Sequence, residues 1–242
     1  MPPSTTPPRR AALIGLVALS TAAFGAPDAD AASHLLWTDF SDGSIGRSTL
    51  AGSAVEPAFI AGASSPSAVV VRGRYVYWAN SSAGTIGRAS TDGTGANQSF
   101  IAGISGTVFG LAVTDAHIYW SVPVTNRIGR ADLDGASVNQ TFLTASSGLA
   151  APGGLAATRT HLYWTNITAE TIGRANLDGS AALSPFLGAG AAGSSPYGLA
   201  ADAAHIYWTN DDTDSISRAE LDGSQVDLSF VPAAPTMRVK PA

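Results

Sequence analysis

The chain has 242 residues, of which 13% are charged, and its formal net charge at pH 7 is −5. This mildly acidic balance argues against binding to nucleic acid or to anionic membranes. The sequence contains no cysteine, which excludes disulfide bonds, a thiol nucleophile and a cysteine-linked lipid anchor, so stability must come from packing.

The first 31 residues have the layout of an export signal. Arg9 and Arg10 form a positively charged start, residues 11–26 are small and apolar, and Ala29-Asp30-Ala31 matches the A-x-A cleavage pattern. The apolar stretch is short for a membrane span, which needs about 20 apolar residues; a retained anchor helix is the alternative. We expect a signal peptide at 1–31, a mature domain at 32–242, secretion, and no membrane span after cleavage.

From residue 34 onward the chain repeats itself. Five tryptophans are 41, 42, 44 and 44 residues apart, and each is followed by an arginine ten residues later and a phenylalanine twenty-two residues later. These landmarks are Trp37, Trp78, Trp120, Trp164 and Trp208; Arg47, Arg88, Arg130, Arg174 and Arg218; and Phe59, Phe100, Phe142, Phe186 and Phe230. A repeat of this length indicates small units that bury apolar surface by stacking on their neighbours.

Each unit has the pattern of four short strands. In the last unit, a Gly- and Ala-rich segment at 198–201 precedes the aromatic run 206–208, and a polar break separates that run from 216–221. Asp222-Gly223 supplies the positive φ of a tight hairpin, and a further strand follows at 226–231. Four strands at this period predict an all-β fold, a β-propeller of about five four-stranded blades.

Three segments of the repeat resemble a known family. Leu-Tyr-Trp-Thr-Asn (162–166), Ile-Gly-Arg-Ala-Asn-Leu-Asp-Gly-Ser (172–180) and Gly-Leu-Ala (198–200) are similar to YWTD repeats, the LDL-receptor class B repeats. The resemblance covers about residues 34–232 and implies a propeller, in that family six-bladed. This chain has five tryptophan units and lacks cysteine-rich modules, so the resemblance implies no receptor function.

The ends of the array pose a closure problem. Pro66, Pro152 and Pro196 each lie twelve residues before a tryptophan and open the inner strand, but no such strand precedes Trp37. The segment 234–239 resembles that opening, which predicts that the C-terminus closes the ring by completing the first blade. The alternative is an open five-bladed arc from a six-bladed parent.

Two polar residues of the repeat, histidine and arginine, are the candidates for a functional role. The four histidines, which are His34, His117, His161 and His205, each precede a tryptophan by three residues. One histidine per blade at one position cannot converge on zinc, so we predict a structural role and no metal site. A hairpin centred near Thr213 places Arg218 opposite Trp208, whereas a one-residue slip places Ser217 there, and glycine in the other units; the sequence leaves both registers open.

The polar turns are the remaining site candidates. Equivalent hairpin loops share one face of a propeller, so their polar residues are expected to form a rim. The rim candidates are Asp39, Asn80, Asn126, Asn166, Glu170, Asn210, Asp211, Asp212 and Asp214. The acidic run 211–214 could hold Ca²⁺ through oxygen ligands, although Asp and Asn are also ordinary turn residues. We expect no other cofactor.

No catalytic motif occurs in the sequence: there is no G-x-S-x-G, H-E-x-x-H or phosphate-binding loop. The uniform repeat and short loops favour a non-enzymatic, monomeric binding module for a protein or a glycan. The alternative is a propeller lyase or hydrolase with its site at the mouth of the central channel.

Overall fold

The computed structural model describes residues 34–233, which form nineteen strands and two short 3-10 helices, Pro123–Thr125 and Ala145–Ser147. The predicted signal peptide and the predicted closing segment lie outside the described residues. Within residues 34–233 no helix is long and apolar enough to cross a membrane.

The strands form five antiparallel sheets in chain order, which are the blades. Blade 1 comprises β1 (His34–Asp39), β2 (Ser44–Thr49) and β3 (Glu56–Ala61). Blade 2 comprises β4 (Pro66–Arg72), β5 (Tyr75–Asn80), β6 (Thr85–Ser90) and β7 (Asn97–Ile101). Blade 3 comprises β8 (Leu111–Val113), β9 (His117–Val122), β10 (Arg127–Asp132) and β11 (Asn139–Leu143). Blade 4 comprises β12 (Pro152–Ala157), β13 (His161–Asn166), β14 (Thr171–Asn176) and β15 (Leu183–Leu187). Blade 5 comprises β16 (Pro196–Ala201), β17 (His205–Asn210), β18 (Ser215–Glu220) and β19 (Asp227–Val231).

The prediction of an all-β, five-bladed propeller is confirmed. Blades 2 to 5 have four strands, and blade 1 has three because no inner strand precedes Trp37 among the described residues. The inner strands β4, β8, β12 and β16 lie side by side in that order, and β1 lies next to β4.

The hairpin register pairs each tryptophan with a small residue. In blade 4, Trp164 is opposite Gly173 and Tyr163 is opposite Arg174. Of the two registers that the sequence left open, the correct one therefore places the small residue, and not the arginine, opposite the tryptophan. A Cβ on Gly173 would overlap the Trp164 ring. Blade 5 has Ser217 at this position. The tryptophan therefore requires a glycine, or at most a serine, on the next strand.

The two faces of each blade pack against different neighbours. The tryptophan of each blade packs against the preceding blade, and the tyrosine one residue before it packs against the following blade. Trp164 therefore lies in the same hydrophobic cluster as Tyr119 of blade 3, and Trp208 lies in the same cluster as Tyr163 of blade 4. Trp78, Trp120, Trp164 and Trp208 are at most 1% exposed. Burying an indole of about 200 Å² contributes up to about 5 kcal/mol, so these contacts carry much of the stability.

A second contact joins the outer parts of adjacent blades. Each repeat arginine lies over the repeat phenylalanine of its own blade, with the guanidinium carbon 3.8–4.5 Å from the ring centroid. The phenylalanine ring then rests on the glycine of the next blade's hairpin turn: a Cβ there would be 2.8–3.0 Å from the ring. The pairs are Phe59 with Gly93, Phe100 with Gly135, Phe142 with Gly179, and Phe186 with Gly223.

The array is interrupted between blade 5 and blade 1. Within residues 34–233, no strand of blade 5 packs against blade 1 as the other neighbours pack. Val231 is 45% exposed, whereas Leu187, its equivalent in blade 4, is 5% exposed. We call the space between the Tyr207 side of blade 5 and the Trp37 side of blade 1 the open cleft.

Candidate functional site

The predicted rim lies on one face of the propeller, which we call the loop face. It carries the turn that follows each tryptophan strand and the connections that lead from each outer strand to the next inner strand. The opposite face carries the Asp-Gly turns and the histidines that begin the tryptophan strands. The rim candidates all lie on the loop face, but the structure places them in two different environments.

Three of the rim candidates are buried rather than exposed. Asn80, Asn166 and Asn210 end their strands with at most 3% exposure. The Asn166 side chain accepts a hydrogen bond from the Ala150 amide at 2.9 Å and donates to Thr171 Oγ1 and Ser184 Oγ. Asn80 makes equivalent bonds to Ser64, Thr85 and Gln98. Asn80 and Asn166 therefore anchor the incoming connection to their blades, whereas Asn210 donates to Ser215 Oγ and Ser217 Oγ of its own blade.

The other candidates lie closer to solvent, and several serve their own loops. Asp39 Oδ1 accepts from the amides of Ser41 and Asp42, and Asp212 Oδ2 accepts from Ser195 Oγ at 2.8 Å. Asn126 adopts a left-handed conformation and its Oδ1 accepts from the Ala151 amide. Glu170, Asp211 and Asp214 are exposed.

The loop face is acidic. Among residues 34–233, this face carries six carboxylates, counting those at the strand ends, and one arginine, Arg127. The carboxylates are Asp39, Asp42, Glu170, Asp211, Asp212 and Asp214. Within the described residues, no three Asp, Glu or His side chains are placed to hold a metal ion. Calcium binding by the run 211–214 stays a prediction.

The blades differ from one another at the mouth of the channel on the loop face. The position eleven residues before the tryptophan, at the loop-face end of each inner strand, is Ser67, Phe109, Gly153 and Tyr197 in successive four-stranded blades, and Phe109 lies two residues before β8. The rings of Phe109 and Tyr197 meet edge to face, with centroids 5.1 Å apart, although blade 4 lies between their blades. Both side chains are half-buried.

Sequence reasoning missed this aromatic pair. The tryptophan, arginine and phenylalanine landmarks are shared by all units, whereas Phe109 and Tyr197 stand at a position that changes from unit to unit. That variation was the available signal, since a site in a repeat protein must break the repeat. Burial and the nearby Asp211 carboxylate raise the pKa of Tyr197, so its hydroxyl stays protonated and can donate at neutral pH.

The histidines lie at the opposite face and form part of the packing. His117 lies beside Tyr119 with ring centroids 6.0 Å apart, and His161 and His205 are placed alike. Burial, together with the Arg130 charge, lowers the pKa of His117. A groove of about 520 Å³ between blades 3 and 4 is lined by His117, Arg130, Arg159 and neighbouring residues. None of the four histidines of the sequence reaches the loop-face channel mouth.

No protein-family model and no curated protein matches the sequence. Solved structures do match. A chain in the crystal structure of a nidogen/laminin complex is 24% identical, with TM-score 0.70 over 88% of this chain and 77% of that one. Virginiamycin B lyase from Staphylococcus aureus is 16% identical, with TM-score 0.60 over 88% and 68%. A gluconolactonase from Xanthomonas campestris is 16% identical, with TM-score 0.62 over 83% and 72%. Such similarities establish the fold alone, because binding proteins and enzymes share it.

Proposed function

We propose that the chain is a secreted, non-enzymatic binding propeller of the YWTD type that holds a protein ligand on its loop face. The observation that carries this proposal is the aromatic pair Phe109 and Tyr197, which occupies the channel mouth where the repeat is broken. Aromatic side chains with a polar end are enriched where protein interfaces concentrate their binding energy.

The surroundings of the mouth favour a protein over a glycan. Val124 is 82% exposed and Phe40 is 39% exposed, and both lie in loop-face turns. Exposed apolar side chains, an aromatic pair and carboxylates on one face are the residue types that form the apolar core and polar rim of a protein interface. The carboxylates of the loop face would favour a ligand with basic groups. The nidogen/laminin neighbour is a protein complex, which agrees with this choice.

The enzyme alternative has less support from the same surface. Two structural neighbours are enzymes, and a histidine-to-alanine variant of one, H270A virginiamycin B lyase, is described as catalytically inactive. Here the four histidines lie at the opposite face, and the titratable groups beside Phe109 are the Tyr197 hydroxyl and the nearby Asp211 carboxylate, with no histidine among them. Turnover of a lactone or of quinupristin by the purified protein would support the enzyme alternative instead.

The binding proposal is tested with variants of the mouth. Candidate partners are captured by a photo-reactive residue at position 124 and then measured as purified proteins. Phe109→Ala and Tyr197→Ala should each weaken binding at least tenfold, while Leu183→Ala, an exposed apolar position on the outer strand β15, should leave it unchanged. Equal affinities of all three variants would contradict the proposal, provided that their melting temperatures are alike.

Secretion rests on the N-terminal sequence and has its own test. The intact mass of the exported protein should correspond to a chain that begins at residue 32. A retained N-terminus in the membrane fraction would contradict a cleaved signal.

A further inference from the structure

The groove between blades 3 and 4 lies on the face opposite the proposed binding surface. Its volume is about 520 Å³. The wall on the blade 3 side consists of the β8–β9 turn, His117 and Arg130, and the wall on the blade 4 side consists of the turns that carry Arg159 and Leu177. Ligand pockets commonly measure about 300–1,000 Å³. The groove therefore has room for a small organic molecule.

Guanidinium groups line the groove from both walls. Arg130 belongs to blade 3, where it lies over the phenylalanine of its own blade and its Nη1 donates to the Leu177 carbonyl at 3.5 Å. Arg159 belongs to the β12–β13 turn of blade 4. That turn is fixed by the buried Thr158, whose Oγ1 accepts from the His161 amide at 3.1 Å. Since guanidinium groups bind oxyanions through paired N–H donors, the two walls together suit an anion.

Arg159 is where this boundary departs from the repeat. The residue five positions before the tryptophan is, in blades 2 to 5, Gly73, Asp115, Arg159 and Ala203. At the boundary between blades 2 and 3, this position carries the opposite charge, because Asp115 pairs with Arg72. At the boundary between blades 4 and 5, Ala203 has no charge and follows the acidic Asp202. The second guanidinium therefore distinguishes the groove from the equivalent positions on either side.

The carboxylates that line the groove have partners of their own. Asp115 forms its ion pair with an arginine of blade 2, away from blade 4. Asp178 Oδ1 accepts from the Ser180 amide at 2.9 Å and from the Ser180 hydroxyl at 2.6 Å. These contacts hold both carboxylates in their own turns and offset part of their charge. An anion that enters the groove is therefore attracted by Arg130 and Arg159 against reduced opposition.

We propose that this groove binds a small phosphate ester of about the size of a sugar phosphate, with the phosphoryl group against Arg130 and Arg159. A carboxylate has two oxygens, which one guanidinium can match, whereas a phosphoryl group has three terminal oxygens and can accept from both walls. A phosphate ion alone fills only part of the groove. Leu177 and Ala116 supply apolar lining for the organic part of the ester.

The imidazole of His117 provides a readout of the bound anion. Burial lowers the pKa of His117, the Arg130 charge lowers it further, and Asp132 raises it. The other charged or titratable groups around this ring are Asp115, Tyr119, Arg159 and Asp178. A negatively charged ester bound among these groups favours the imidazolium form, so it raises the pKa of His117.

Titration of the full chain with glucose 6-phosphate tests the site. Proton NMR signals of the imidazoles, assigned with His117→Gln and His161→Gln, should show a raised pKa for His117 and an unchanged pKa for His161, which lies at the next boundary. Arg159→Ala should weaken binding about tenfold or more, because charged hydrogen bonds are lost, while Arg74→Ala should weaken it less than about twofold. Arg74 is the matched control, since it is an exposed arginine in the corresponding turn of blade 2.

Four results would overturn the proposal. One is the absence of glucose 6-phosphate binding, and another is an equal loss of affinity in both arginine variants, because binding would then follow overall charge. The third is an equal response of both histidines. The fourth is equally tight binding of inorganic phosphate or of glucose, which would show that the ester is not what the groove recognises. The arginine variants leave the loop face unchanged, so this inference and the proposed function can fail separately.

Discussion

Each tryptophan ring of the repeat lies over the residue opposite it on the neighbouring strand, and in four blades that residue is glycine. These glycines are Gly46, Gly87, Gly129 and Gly173. The close approach lets the indole lie against its own sheet while its other side packs against the preceding blade. A single missing side chain thus determines how closely two blades can pack.

Gly173→Ala should destabilise the protein by about 2 kcal/mol, because the new Cβ overlaps the buried Trp164 ring. The matched control is Gly188→Ala, because a Cβ added at Gly188 would have no atom within 4 Å and the φ of Gly188 is not positive. Urea unfolding of both variants measures the difference. Equal free energies of unfolding would show that the ring shifts without cost.

Titratable residues in the blade contacts predict a pH range of maximal stability. Burial lowers the pKa of His117 and His161 below 6.5, and the charges of Arg130 and Arg174 add to this effect. The unfolded chain therefore binds protons more readily than the folded chain, and the free energy of unfolding falls as the pH drops through 6.5. Burial raises the pKa of Tyr119 to about 12, so the unfolded chain ionises first and stability falls above about pH 10. Melting temperatures from pH 5 to 11 should therefore form a plateau between about 7 and 9.5.

The variant His161→Gln tests how much of the stability loss at acid pH comes from this histidine. Glutamine does not titrate, so the variant should lose less stability between pH 7 and 5 than the parent does. An identical decline in both proteins would contradict the contribution assigned to this histidine.

At the scale of strands and turns, the sequence predicted more of the fold than of the site. Tryptophan, arginine and phenylalanine at fixed spacing predicted the strands. They did not predict the pairing register of the hairpin, because shifting one strand by one residue leaves the spacing in the sequence unchanged. The glycine nine residues after Trp164 was the available signal for the register. Asn166 was placed on the rim because a turn follows it, yet as the last strand residue it points inward.

The outer-strand phenylalanines test the blade contact directly. Phe186→Ala removes a ring that rests on Gly223 of the next blade and should cost about 2–3 kcal/mol. Phe230→Ala removes the equivalent ring at the open cleft and should cost less than about 1 kcal/mol, since that ring is already 40% exposed. Chemical denaturation gives both values. Similar losses would mean that another part of the molecule covers Phe230.

At the scale of the whole molecule, the five blades form an arc with two unlike ends. One end offers the aromatic face of blade 5 and the other the glycines and Trp37 of blade 1. The repeat predicted the blades but left two alternatives for the ends, closure by the C-terminus or an open five-bladed arc, because each unit specifies its contact with the next one and none specifies closure. The channel mouth was unpredictable for a related reason: Phe109 and Tyr197 become neighbours only when the intervening blade is in place.

The chain lacks cysteine, so introduced cysteine pairs can report on this arrangement without interference. Phe186→Cys with Ser224→Cys spans the packed boundary between blades 4 and 5, and Phe230→Cys with Ser53→Cys spans the open cleft at equivalent positions. A short bis-maleimide applied to dilute protein should join the first pair within single molecules and leave the second pair unjoined. Equally rapid joining of both pairs would mean that the five blades close into a complete ring, which would contradict the interrupted arc described above.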